Sequence, residues 1–509
     1  MKKASLIIGF IALLVFGYVG LAWFTGNQIE KNIDAQIIQL TQQLEIKQDK
    51  YNITDTKYDI GIFYSNYRKN LFSTQLHLTV TLKPITRYDS DLEPLKIFDD
   101  NVTIHHGPFP IAALSKGVFT PQMVWIDYQT TKQASPELWK LAGNQPFITG
   151  YAGISYFNDI QVKLSNKAIL YKPTESSDIE EQFEISKGDW SFTSMKESSN
   201  ILANIQLDHF TYTNQDYPYS IQLNKFNLTS KPNKENRAVS YELNTENISY
   251  SSNDRYYKEE NYFLTNLKTT VNINDDNDFS NLAFAIDIDK FVYVLNESES
   301  ISITINQLAF NLKNRSNTDN FNDGSLTSSI GSLIAGKHNL GTGVINFDYQ
   351  NINPNQSPPC LFYLKHCIEN NKEGKNFTLS LNKFNWHTEV GDINIRFIFD
   401  YLPAIEKDQI LSDIERINEF KVNVDVPLDV LNSIFTKVRN WQTSPIPQEK
   451  DESRNVEDFL KWLFSKNIIF TLNKGDTKGL FSDIDCSRDS QIMKANGKTY
   501  IKEDFFDRL

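Results

Sequence analysis

Between about Asp189 and Trp386 apolar residues alternate with polar ones again and again, in runs separated by turn clusters such as Asn214-Gln215-Asp216-Tyr217-Pro218 and Lys231-Pro232-Asn233-Lys234. A period of two with one apolar set marks strands that bury a single face, so most of the chain is expected to form antiparallel sheet. The same period appears earlier, where Leu76, Leu78, Val80 and Leu82 alternate with Gln75, His77, Thr79 and Thr81. Inside the long stretch the alternation changes phase at a polar pair. Ile205 and Leu207 are followed, across Asp208-His209, by Phe210 and Tyr212; Ile221 and Leu223, across Asn224-Lys225, by Phe226 and Leu228. The spacing returns at Asp289-Lys290 before Phe291, at Asn306-Gln307 before Leu308, and at Asn382-Lys383 before Phe384. Such a pair is either a two-residue hairpin or a β-bulge within a longer strand. None of the five contains the Gly that tight hairpins favour, so bulged long strands are expected, with Phe210, Phe226, Phe291, Leu308 and Phe384 buried on one face. That face is either a core covered by other layers or the wall of a groove for an apolar ligand.

Helical periods flank the sheet. An uncharged apolar run from Ala4 to Phe24 follows Met1-Lys2-Lys3, and at 1.5 Å per residue it is long enough to cross a hydrocarbon core of about 30 Å. The lysines before it place the N-terminus in the cytoplasm and everything after about Thr25 on the other side. A cleaved signal peptide ending near Gly20-Leu21-Ala22 is the rival reading. Ile29, Ile33, Ile37, Leu40 and Leu44 then recur at helical spacing and predict an amphipathic stalk, packed on its own domain or paired in a homodimer. Near the other end, Ile410, Leu411, Ile414, Ile417 and Phe420 predict one helix and Val430, Leu431, Ile434, Phe435 and Val438 a second. Asn455 caps a third, with Val456, Phe459, Leu460, Leu463 and Phe464 on one face. Short strands with Gly475, Gly479 and Gly497 at turns fill the tail from Ile468. The expected architecture is therefore mainly β with α (α+β). Residues 1–25 form a cytoplasmic stub and transmembrane anchor, 26–50 the stalk, 51–400 a large twisted antiparallel sheet, and 401–509 covering helices with C-terminal strands.

Composition supports the sheet and narrows the partners. Aromatic residues make up 13% of the 509, with Phe and Tyr far ahead of Met, which suits a pleated interior. A net charge of −12, with no basic face, argues against nucleic acid. The three cysteines leave two options, a short loop closed by Cys360 and Cys367 with Cys486 over, or three free thiols. No cofactor or metal is expected, since no His-Glu-x-x-His or Cys-x-x-Cys spacing occurs. Gly150-Tyr151-Ala152-Gly153 lacks the lysine of a phosphate loop and the serine of a nucleophile elbow. The most distinctive local sequence is His106-Gly107-Pro108-Phe109-Pro110, a rigid turn at a strand end or a loop that meets a partner, because its two prolines fix φ and remove donors.

Three segments together resemble the YdgA-like family of Gram-negative envelope proteins. They are Ala22-Trp23-Phe24-Thr25-Gly26 with Ile29-Glu30, Tyr67-Arg68-Lys69-Asn70-Leu71-Phe72-Ser73, and Val102 to Pro110. The likeness is clearest over the first 155 residues or so; Val426-Pro427 and Asn496-Gly497-Lys498 are only loosely similar. Asn70 stands where that family has Gly, and Asn tolerates a positive φ. The resemblance implies a single-pass inner-membrane protein of unknown function with a large periplasmic domain, and it brings no catalytic residues. Two function classes follow. One is a non-catalytic module that binds an envelope partner or an apolar ligand such as lipid; the other is a periplasmic hydrolase with dispersed catalytic residues.

Overall fold

The computed structural model describes, with short breaks, residues 18–38, 57–85, 94–172, 181–214, 218–353, 375–439 and 468–506, and isolated positions beyond these. Two compact units emerge, one from Met1–Lys172 with Glu184–Asp208, the other from Pro173–Phe183 with His209–Leu509.

The first unit opens on a helix, α1, over residues 18–35. Its strands are β1 (Lys57–Lys69), β2 (Ser73–Ile85), β3 (Leu95–His106), β4 (Gln122–Gln129), β5 (Ile148–Ser155), β6 (Ile160–Asn166), β7 (Ile169–Tyr171), β8 (Glu181–Ile185), which spans the division, and β9 (Gly188–Ser194). Two short helices intervene, α2 (Ile111–Ser115) and α3 (Pro136–Leu141). Alternation decides which side is buried: Leu76, Val102 and Ile104 form a core on one face of β2 and β3, and Ile29 and Ile33 of α1 pack against it. Those two isoleucines are the stalk stripe read from the sequence; Leu40 and Leu44 lie outside the described residues. In β1 the left-handed residue is Asn66, at a bulge between Ser65 and Arg68, and not Asn70.

The second unit continues with β10 (Ile201–Asn214), which begins in the first, then β11 (Tyr219–Pro232), β12 (Val239–Asn253), β13 (Glu259–Ile273), β14 (Ala283–Asn296) and β15 (Ser300–Ser316). After them come β16 (Asn322–Ala335), β17 (His338–Ile352), β18 (Phe377–His387), β19 (Asp392–Tyr401), the short β20 (Ile405–Glu406) and β21 (Gln409–Ile410), and β22 (Ile417–Pro427). Helix α4 (Leu428–Arg439), strands β23 (Thr471–Lys474), β24 (Thr477–Ser487), β25 (Ile492–Ala495) and β26 (Lys498–Ile501), and helix α5 (Lys502–Phe506) complete it. Neighbouring strands pair antiparallel from β11 to β19, then β19 with β22 and β22 with β24.

All five polar pairs lie inside continuous strands, so the chain runs straight through them. The pair in β18 is an ordinary bulge, where Asn382 and Lys383 face one residue of β19. Across β11 to β16 the ladder is interrupted at the same level in each strand and resumes with no net slip. Lys225, Glu246, Asn266, Asp289, Gln307 and Gly331 thus form a transverse row across β11 to β16. Its members at φ +53°, +52° and +52°, Lys225, Asn266 and Gln307, sit on alternate strands at equal intervals along the chain. Because each strand changes phase at this row, partners remain on one face above and below it.

One expectation needs correction, and two others reach beyond the described residues. The helix expected over Ile410 to Phe420 is a turn followed by β22, because Phe420 leads into Val422, Val424 and Val426, a β-branched period of two that outweighs the helical spacing. Among the described residues no helix is long and apolar enough to cross a membrane; residues 1–17, which carry most of the expected anchor, lie outside them. Helix α4 packs at the ends of β17, β22 and β24 but leaves Phe435 exposed, and of the third helix only positions 456, 460 and 461 are described.

Candidate functional site

Phe210, Phe226, Phe291, Leu308 and Phe384 are each only half-buried, short of the burial expected for a closed core. Their setting is a face that can be followed strand by strand. Above the polar row run Ile221, Tyr250, Tyr262, Tyr293 and Ile303, and beside them Leu223, Ile248, Leu264, Phe291, Ile305 and Leu333. Below it, Phe226 is followed by Thr245, Leu267, Ile288, Leu308 and Ile330 in the same sense. None of these positions carries a charge. Adjacent rings touch, with centroids 5.8 Å apart for Tyr250 and Tyr262 and 4.9 Å for Tyr262 and Tyr293. The reverse face is mixed: it carries Phe263, 44% exposed, beside polar residues, and there Lys268 bridges to Glu242 at 3.3 Å. Six strands at the usual spacing make this apolar field about 24 Å wide.

Towards β17 the same face passes into closed core. Leu312 pairs with Leu326, then Phe347, Leu381, Phe397, Val422 and Ile484 follow in register. Here Tyr349, Phe377, Leu379, Phe399 and Tyr401 are buried, and a second cluster joins Ile484 and Met493 to Phe505 of α5. Burial pushes the Tyr349 and Tyr401 hydroxyls up to about 12, so neither ionises at physiological pH. Cross-strand glycines seat the large rings: a side chain at Gly343 would strike Trp386 at 2.4 Å, and one at Gly324 would strike Tyr349 at 2.3 Å. The apolar face is therefore closed towards β17, and along β11 to β16 no described element packs over it.

The turn singled out in the sequence lies in the first unit, at the end of β3, and clasps α1. His106 is 1% exposed, and its Nδ1 lies 3.0 Å from the Ala22 carbonyl oxygen, so that ring nitrogen is the donor. Nε2 is buried without a partner. Gly107 has φ +119°, and a side chain there would meet Ala22 at 3.0 Å; one on Gly26 would meet the His106 ring at 2.6 Å. Small residues at these places let helix and turn touch. Around them Tyr18 donates to the Phe109 carbonyl at 3.0 Å, the Thr25 and Tyr156 hydroxyls are 2.6 Å apart, and Lys69 bridges to Glu30. Pro108 accepts from the Gln122 amide, and Pro110 precedes α2 without a side-chain cap. Burial, with Lys69 and His105 nearby, holds the His106 pKa below its ordinary value.

This arrangement offers little to acid–base catalysis. Neither His106 nitrogen meets a carboxylate. The histidines that do are on the surface: His77 lies 3.0 Å from Asp99, which Thr79 and Lys96 also hold, and His387 lies 2.6 Å from Asp392 in a tight turn. Hydrogen bonds from Thr79, Lys96 and His77 keep Asp99 well below the usual carboxylate range, so it stays a surface anion. Among the described residues no group of His, Cys, Asp and Glu has the geometry of a metal site. Cys486 is buried and free, with its thiol pKa raised by burial; Cys360 and Cys367 lie outside the described residues. A depression of about 440 Å³ lies over β5, β6 and β9, lined by Tyr151, Lys163 and Asp189 among others, and a larger one of about 540 Å³ is lined by Ile414, Arg488 and Glu503 among others. Sequence reasoning missed that the phase shift recurs at Glu246 in β12 and at Asn266 in β13. Thr245 hid the first by standing where an apolar residue was expected.

Comparison with known proteins places the chain. It is 31% identical over 177 residues to Protein YdgA of Escherichia coli (strain K12), a match covering 34% of this chain and 33% of that protein. The similarity thus spans about a third of the relative's length. No solved structure matches. The family model described as "Bacterial protein of unknown function (DUF945)" matches residues 1–356, and by that extent the chain belongs to the DUF945 family, as its N-terminal segments indicated.

Proposed function

We propose that this chain is a non-catalytic, membrane-anchored envelope protein whose second unit holds acyl chains against the uncovered sheet face of β11 to β16. The observation that carries this reading is that face itself, six strands wide, free of charge, half-buried at most positions, and continuous with a closed core towards β17. Apolar surface left in water costs free energy in proportion to its area, and lipid tails remove it without needing hydrogen-bond partners. The Ala4–Phe24 run supports the setting, an inner membrane with the mass of the chain on its periplasmic side. A protein partner would bring polar groups to its rim, and the apolar rows offer them only scattered Thr and Tyr hydroxyls.

The test is photo-crosslinking of the full chain, purified in mild detergent, with a phospholipid carrying a diazirine in its acyl chain, followed by peptide mapping. Adducts on β11 to β16 are expected, and Leu264→Asp with Ile288→Asp should abolish them while the fold is retained. Adducts confined to the N-terminal run would refute the acyl-chain reading.

A further inference from the structure

The first unit carries its own exposed apolar group, gathered at one end of α1. Ile111 at the start of α2 is 80% exposed, Phe119 72% and Phe157 68%, all in the connections that join β3 to β4 and β5 to β6. Isolated apolar residues on a surface are ordinary, but these are tied together. Tyr156 donates its amide to the Pro121 carbonyl, and Gln122 donates to Pro108, so the two turns are laced to each other. Both are fastened to the helix at Tyr18 and Thr25 through the contacts to Phe109 and Tyr156. Tyr18 also packs its ring on Phe72, with centroids 5.7 Å apart. On α1, Trp23 and Phe24 are themselves more than half exposed. The exposed side chains of these two connections are therefore tied to residues 18 to 25, the point where the uncharged run from Ala4 ends.

We infer that these residues form an apolar collar that sits in the interfacial layer of the bilayer crossed by the N-terminal run. This rests on the anchoring proposed above, and the occupant follows from the position of that run. A span ending at Phe24 puts Tyr18 to Thr25 at the membrane surface, where Trp, Tyr and Phe are favoured, and whatever is clamped to those residues lies at the same depth. The Ala22–Gly26 seat against His106 and Gly107 removes the freedom of a flexible tether. The domain is thereby held against the membrane at a fixed tilt, with Ile111, Phe119 and Phe157 dipping among the headgroups. Each apolar side chain transferred from water adds to the binding.

To test this, the full chain is reconstituted into phosphatidylethanolamine–phosphatidylglycerol vesicles with a photo-crosslinking residue substituted at Ile111, Phe119 or Phe157, or at the exposed Lys187 as control. Lipid adducts should form at the three collar positions and not at Lys187. Carbonate extraction of the same vesicles reads anchoring separately. A chain that resists extraction but gives no adduct at the collar would overturn the collar and leave the anchor standing. Release by carbonate with no adducts would overturn both. A serine triple variant at the three positions should melt as the parent does in detergent, showing that these side chains do not hold the fold.

Discussion

His106 shows how a residue that looks catalytic in a sequence can be structural. Its imidazole is neutral in the fold because burial and the nearby Lys69 and His105 disfavour a charge, and only the neutral ring suits a seat beside Gly26. A depressed pKa means the unfolded state binds more protons, so the contribution is complete above the ordinary value of 6.5 and is lost as the pH falls from there towards the lower folded value. The protection factors of the α1 amides, taken relative to intrinsic exchange at each pH, should accordingly fall below about pH 6.5. His106→Asn should flatten that dependence while weakening the clasp at neutral pH by about 1 kcal/mol, the loss of one hydrogen bond. Equal pH dependence in both proteins would remove His106 from the account. The two prolines made the turn legible, but its partner was not, because nothing local says that Ala22 and Gly26 lie against a ring eighty or more residues away.

Strands and their one-faced pattern were readable, since alternation is a local property that the pleat converts directly into sidedness. What covers a face is non-local, and periodicity is silent about it. That is why Phe226 and Phe384 looked like core when they are half-buried, whereas Phe399, in the same alternating pattern, is buried among Phe377, Tyr401 and Phe420. The two settings predict different costs. Phe399→Ala should destabilise the second unit by about 3–5 kcal/mol, the usual figure for a filled core, and Phe226→Ala by about 1–2 kcal/mol, a fraction of the value of full burial. Denaturant unfolding of the two variants would check this, and comparable losses would mean that the face is covered after all. The misread helix at Ile410 failed for a related reason, because five apolar residues fit helical spacing until the β-branched run after Phe420 is weighed.

At the scale of the whole molecule, family membership was legible in the first 155 residues and the sheet in the next two hundred. The membrane side rests on Lys2 and Lys3 before the apolar run. Alkaline phosphatase fused after Leu509 should therefore be active and a fluorescent protein in its place dark; the reverse outcome would invert the topology. The transverse polar row bears on how such a chain comes to have its length. Left-handed residues recur on every second strand at even spacing, and the strands between them match the phase change without one. One hairpin is then the smallest complete unit of the pattern. Gain or loss of a whole hairpin restores chain direction, row and sidedness together, whereas a single strand would reverse the chain and misplace every left-handed residue after it. Descendants of such a gene can widen or narrow the field only in steps of two strands, so the area open to a ligand is itself quantised by the turn chemistry of its backbone.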